Sequence, residues 1–209
     1  MKPLRGRITP TRAGGPRSGL TLMELIFATV ILALLLANAS MVSRTGSRVA
    51  KNSAFISRLT DEVDVTLDRI TLALMSARHD DLYPQTPAPG FSEYIGYSVS
   101  LGMEEGKVVY GPPERIDWIP NGETGRVTWY QDYSHETEKA VVWTNAVPNL
   151  QEGELPNGID DNGNNVQDEG GLAFVQDGKT IRVFLTVERN DENGTPVATR
   201  RKKIITCRN

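Results

Sequence analysis

The hydrophobic positions of this chain fall into three successive patterns, and each predicts a different element. From Leu20 to Val42 apolar residues stand all round, and the polar ones among them (Thr21, Thr29, Asn38, Ser40) are small, apart from one acid, Glu24. A run of this length matches the about 20 residues that a helix needs to cross a bilayer. Further on the pattern thins to a stripe, Val49, Ile56, Leu59, Val63, Leu67, Ile70, Leu74 and Ala77, in steps of three, four or seven. Such steps describe one face of a helix. The opposite face carries Arg48, Lys51, Asp61, Asp64, Asp68 and Arg78. No proline occurs from Leu20 to Arg78, and Gly46 is the single glycine. One helix over 20–79 is therefore predicted, with a transmembrane part at about 20–42 and an amphipathic second half. At 1.5 Å per residue it would reach roughly 87 Å. The stripe is too short for the sustained heptads of a coiled coil, so the second half needs a sheet to lie against.

Past His79-Asp80-Asp81 the period changes. Pro84, Pro87, Pro89 and Gly90 make 80–93 a linker. Residues 94–209 then read as a β-rich domain. Tyr94–Leu101, Lys107–Tyr110, Arg126–Tyr133 and Lys139–Val147 are short runs rich in Val, Tyr and Trp, with turn signals at Gly111-Pro112-Pro113 and Asn121-Gly122. Leu172–Gln176 and Lys179–Glu188 flank Asp177-Gly178, a two-residue hairpin signal. Ile181, Val183, Leu185 and Val187 alternate with Arg182, Phe184, Thr186 and Glu188, which gives one apolar face. A longer turn at Asn193-Gly194 leads to Val197–Thr206. A long N-terminal helix packed on an antiparallel sheet is an α+β layout.

Charge adds a direction. Residues 1–19 hold Lys2, Arg5, Arg7, Arg12 and Arg17 and no acid; removing those five from the 23 basic residues leaves 18 against 26 acids. Positive charge on one flank of an apolar segment keeps that flank in the cytoplasm, so the C-terminal domain is expected outside the membrane. No basic face with interleaved aromatics points to nucleic acid. Cys207 is the only cysteine, which excludes an intrachain disulfide and fits a small apolar filler.

Glu24 asks for a partner, since a carboxylate at a helix centre in lipid costs about 2.5–3.5 kcal/mol on insertion scales. Behind the basic segment, Gly19-Leu20-Thr21-Leu22-Met23-Glu24 resembles the processing site of type IV prepilins and type II secretion pseudopilins. The resemblance covers about the first quarter of the chain. It implies cleavage by a prepilin peptidase after Gly19, methylation of Leu20 as the new N-terminus, and a role for Glu24 in assembly. It also implies a pilin-like fold. The chain would be a single-pass protein of the inner (cytoplasmic) membrane, with its leader 1–19 in the cytoplasm. Its partners would then be other pilin or pseudopilin subunits of a filament. The family often has Phe where Leu20 stands and proline where Met41 stands. A secretory signal cut at Ala37-Asn38-Ala39 would instead release a soluble exported calcium-binding or adhesive protein, but it leaves Glu24 unexplained.

A second motif lies at 157–171. Asp160, Asn162 and Asn164 stand at positions 1, 3 and 5 of a run whose ninth position is Asp168. That spacing turns hard oxygen donors toward one centre, as calcium loops require. The expected ligands are Asp160, Asn162, Asn164, the Val166 carbonyl and Asp168. Asn165 takes the sixth position, where a left-handed backbone is needed and Asn tolerates it. The run resembles the calcium loops of thrombospondin type 3 repeats and dockerins, though Gly171 stands where an EF-hand has its twelfth-position Glu. A solvated polar turn would look much the same. No enzyme is expected: His79 and His135 are in no metal spacing, and no nucleophile elbow or phosphate loop occurs. Trp129, Tyr130, Tyr133 and Trp143 are expected to pack within the sheet.

Overall fold

The structure, a computed structural model, describes residues 21–122 and 124–207. The chain divides into two compact units, Met1–Ala50 and Lys51–Asn209. Helix α1, Leu22–Met75, contributes to both. In the first unit its large apolar side chains, from Leu22 through Val42, are exposed. This stretch is long and apolar enough to cross a membrane. Its small polar residues turn back on their own helix: Thr29 Oγ1 donates to the Ile26 carbonyl at 2.9 Å and Asn38 Nδ2 to the Leu34 carbonyl at 3.0 Å. Each of these bonds meets a side-chain donor within the helix, where an apolar surround would offer no acceptor.

The second unit holds the rest of α1, a 3₁₀ turn at His79–Asp81, and two antiparallel sheets. The first sheet has the order β1-β2-β3-β4: β1 Tyr94–Glu104, β2 Lys107–Asn121, β3 Thr124–Gln131 and β4 Lys139–Pro148. The second has the order β5-β6-β7: β5 Leu172–Asp177, β6 Thr180–Asn190 and β7 Pro196–Thr206. The fold is therefore α+β, with the long helix on antiparallel sheets.

Apolar burial accounts for this arrangement. Leu59, Val63, Leu67, Ile70 and Leu74 on the α1 stripe share one core with Ile181, Val183, Leu185 and Val187 of β6. Ile95, Tyr97, Ile116 and Val127 of the first sheet complete it. Val49 and Ile56, at the start of the stripe, are exposed. The stripe is thus buried only from Leu59 onward. Cys207 is buried in this core with its thiol 3.8 Å from the Leu74 carbonyl oxygen.

Charged residues flank the buried stripe. Arg189 of β6 forks onto Glu62 at 2.8 and 2.9 Å, and Thr144 of β4 donates to the same carboxylate at 2.6 Å. The Arg189 hydrogen bond is the main cause that holds the Glu62 carboxyl below its usual range, against desolvation that raises it. Asp64 faces Arg201 at 3.8 Å, and Asp68 pairs with Lys203.

Two turns differ from expectation. Asp177 pairs with Thr180, so Gly178 and Lys179 form the hairpin turn, one residue later than the expected pair. Gly178 takes the left-handed backbone there, φ +57°. The expected break at Gly111-Pro112-Pro113 is absent: β2 runs through it, and the β1–β2 register shifts between Ser98 and Gly102, opposite these residues. A bulge tolerates proline because the ladder already lacks a hydrogen bond at that point.

Stability should follow the stripe. Leu67→Ala, at a site 1% exposed, should destabilise the protein by about 2–5 kcal/mol. Leu72→Ala, one turn away but 70% exposed, should cost less than about 0.5 kcal/mol. Urea unfolding of the two variants checks this, and equal losses would contradict the burial described.

Candidate functional site

Two places carry chemistry beyond packing. The first is the start of α1. Thr21 is its N-cap: Thr21 Oγ1 accepts from Glu24 N at 3.2 Å, and Thr21 N donates back to Glu24 Oε2 at 3.1 Å. This reciprocal pair is a capping box, which satisfies two of the donors left free at a helix start. Glu24 therefore has a local partner that the sequence reading did not foresee. Among the described residues, no Lys, Arg or His lies within ion-pair distance of Glu24, which stands within an exposed apolar surface. Gly19 and Leu20, the expected cleavage pair, lie outside the described residues.

The second place is the connection from β4 to β5, which contains the 157–171 motif. Ala173, Val175 and Phe184 point away from the main core and form a smaller apolar cluster with Val166, with Phe91 against it. Val166 is buried there and anchors the loop to the outer face of β5–β6. Thr186 on that face takes part as well, its N–H donating to the Gly171 carbonyl at 2.8 Å. A segment without an apolar period is thus ordered by one plug and many polar contacts.

Each expected ligand has a definite place. Asp160 accepts from three backbone N–H groups, those of Gly163 at 2.7 Å, Asn164 at 3.1 Å and Asn165 at 2.8 Å. Desolvation raises its carboxyl, but these three donors outweigh it and the carboxyl lies below its usual range. Asn165 takes the left-handed backbone, φ +65°. Asp168 accepts from the N–H groups of Asn157 at 3.0 Å and Gly158 at 2.7 Å. Asn164 Oδ1 accepts from Val166 N at 2.8 Å. Asp160 and Asp168 thus shape the loop. Asn162 differs, because its Oδ1 is buried with no partner.

Two acids outside the expected set surround Asn162. Glu154 Oε1 accepts from Asn162 N at 3.0 Å, and Glu169 Oε1 accepts from Asn162 Nδ2 at 2.8 Å and from Asn164 Nδ2. Glu169 is 0% exposed and Glu154 6%. Burial is the main cause that pushes the Glu154 carboxyl up, and Glu169 adds to it. In the sequence both look like ordinary solvated acids. One clue was the absence of a twelfth-position Glu. A Cβ at Gly171 would stand 2.2 Å from the Pro148 carbonyl oxygen, so that position cannot carry a side chain without moving the backbone.

The aromatic residues pack within the first sheet. Trp129 and Trp143 stack at 6.2 Å, and Trp129 Nε1 donates to Glu114 at 2.9 Å. Arg115 lies 4.0 Å over the Tyr94 ring and pairs with Asp117 at 2.7 Å, so its charge is met internally.

No family model, curated protein or solved structure matches this chain.

The anchoring by Val166 is testable. Val166→Ala removes two buried carbons worth about 0.8 kcal/mol each and should loosen the loop before the core. Hydrogen exchange should then speed up at the Gly163, Asn164 and Asn165 amides while those of β6 keep their protection. Unchanged exchange would show that the polar contacts alone hold the loop.

Proposed function

We propose that this chain is a structural subunit of a filament of the type IV pilus or type II secretion pseudopilus class, not an enzyme. In this reading it is cut after Gly19 by a prepilin peptidase, methylated on Leu20, held in the inner membrane by the first half of α1, and assembled through that helix. The observation that carries the proposal is the division within α1. Its first half exposes apolar residues on every side, and its second half supplies the core stripe of an α+β unit. Such a surface needs lipid or other apolar helices around it, and a subunit that passes from membrane to filament meets both. Glu24 fits the reading because its charge calls for a cation wherever that surface is buried. The methylated terminal amine of a neighbouring subunit would supply one.

Processing is the first test. Mass spectrometry of the mature protein from its own cell should find Leu20 at the N-terminus with one methyl group. A terminus at Ser40 would instead establish the soluble secreted reading.

The capping box allows a sharper test of Glu24. Gln also completes a capping box, so Glu24→Gln keeps the helix start and removes only the charge. If the charge pairs with an amine in the filament, both Glu24→Gln and Glu24→Ala should be cleaved normally. Each should enter filaments about tenfold or more less efficiently, since breaking a buried pair costs about 3–5 kcal/mol. Normal incorporation of Glu24→Gln alone would reduce the acid to a helix cap.

A further inference from the structure

The sequence spacing and the structure assign different oxygens to the 157–171 loop. Spacing favours Asp160 and Asp168, but each oxygen of both carboxylates already accepts from a backbone N–H group of the loop. Three side-chain oxygens here are buried and make no hydrogen bond of normal geometry, although the Asp168 N–H also acts on the Glu154 carboxylate: Glu154 Oε2, Asn162 Oδ1 and Glu169 Oε2. The other oxygen of each acid binds Asn162, Glu154 Oε1 accepting from its backbone N–H at 3.0 Å and Glu169 Oε1 from its Nδ2 at 2.8 Å. Among the described residues, no Lys, Arg or His lies within ion-pair distance of Glu154 or Glu169. Arg200, whose charge reaches Asp160, donates through Nη1 to the Glu152 carbonyl at 3.3 Å.

Two buried carboxylates with no cation cost several kcal/mol, and proteins resolve this by pairing them or by placing a metal between them. We propose that Glu154, Asn162 and Glu169 form a divalent-cation site of the calcium class, with Asp160 and Asp168 acting as braces of its loop. The donors are carboxylate and amide oxygens, hard ligands that suit calcium and disfavour zinc or copper. Among the described residues, His, Cys, Asp and Glu side chains alone nowhere gather in threes as a metal site. The amide of Asn162 is what completes this one. Two acids and a neutral amide place its affinity in the weak range of extracellular sites, roughly 10⁻⁴–10⁻³ M. The inference is independent of the filament reading and would survive its failure.

Calorimetry and thermal melting of the full chain in detergent, with calcium chloride as the probe, test it. In the wild-type protein about 5 mM calcium should raise the Tm over that in chelator by on the order of 4 °C. Glu154→Gln and Glu169→Gln keep the shape of the side chain and remove one charge. Each should raise the calcium-free Tm, because like charges no longer face each other, and weaken calcium binding about tenfold or more. No calcium response in the wild type would overturn the proposal. Wild-type affinity in Glu154→Gln or Glu169→Gln would overturn it in favour of the ligands that the spacing suggests.

Discussion

Burial of the α1 stripe against β6 is the interaction on which the globular unit depends. Leu59, Val63, Leu67, Ile70 and Leu74 meet Ile181, Val183, Leu185 and Val187 in one core, and each such side chain is worth about 1.5–3 kcal/mol when fully buried. That attraction has no direction of its own, so something else must fix how the helix lies on the sheet. The ion pairs along its flank serve this purpose. Asp64–Arg201 and Asp68–Lys203 are largely exposed and add little energy. Glu62 is different: a two-pronged Arg189 contact and a Thr144 hydroxyl tie it to β6 and β4 together. Bidentate geometry gives such a contact orientation as well as energy. The helix is therefore held by apolar area and oriented by one acid.

The same sheet has a second face, and covering it creates the unusual chemistry of the molecule. Ala173, Val175 and Phe184 would be left in water if nothing lay over them. Val166 supplies the cover. The chain around Val166 has too few apolar residues to fold by burial, so carboxylates and amides hold it, accepting from backbone N–H groups at Asp160 and Asp168. Bringing the loop down onto the sheet also carries Glu154 and Glu169 out of water. The acids are buried because the loop is a lid on the sheet, and the strain of their charge is a consequence of that covering.

How much of this was legible depended on whether a period was present. The stripe from Leu59 to Leu74 and the alternation from Ile181 to Val187 each face one environment, and their spacing alone placed them. Hairpin turns were legible to within one residue, because glycine marks a left-handed position without saying whether it comes first or second in the turn. The passage of β2 through Pro112 and Pro113 was not legible, since a bulge is a property of two paired strands and no single segment encodes it. In the loop, the left-handed Asn165 followed from residue type. The role of Glu154 did not, because which oxygen stays unpartnered depends on which N–H groups the folded backbone presents. Glu24, three residues after Thr21, was conspicuous in the sequence as an acid in an apolar run. Their three-residue spacing also met the requirement for a capping box, a purely local rule that the membrane argument overshadowed.

Charged side chains mark a change of pattern along α1 independently of its hydropathy. In the first half, Thr29 and Asn38 return their hydrogen bonds to the helix backbone, and Glu24 does so at the cap. A helix satisfied in this way can stand in lipid or among other apolar helices, where any outward donor would go unmet. From Lys51 onward, charged side chains reach beyond the helix: Lys51 to Glu192, Glu62 to Arg189, Asp64 to Arg201 and Asp68 to Lys203. These contacts suit an aqueous surface, where water screens what the partner does not satisfy. Thr66, Thr71 and Ser76 return their hydroxyls to the helix backbone in the second half too, so the outward-reaching charges are what distinguish it. One segment could serve two surroundings because charged side chains with partners beyond the helix begin only at Lys51.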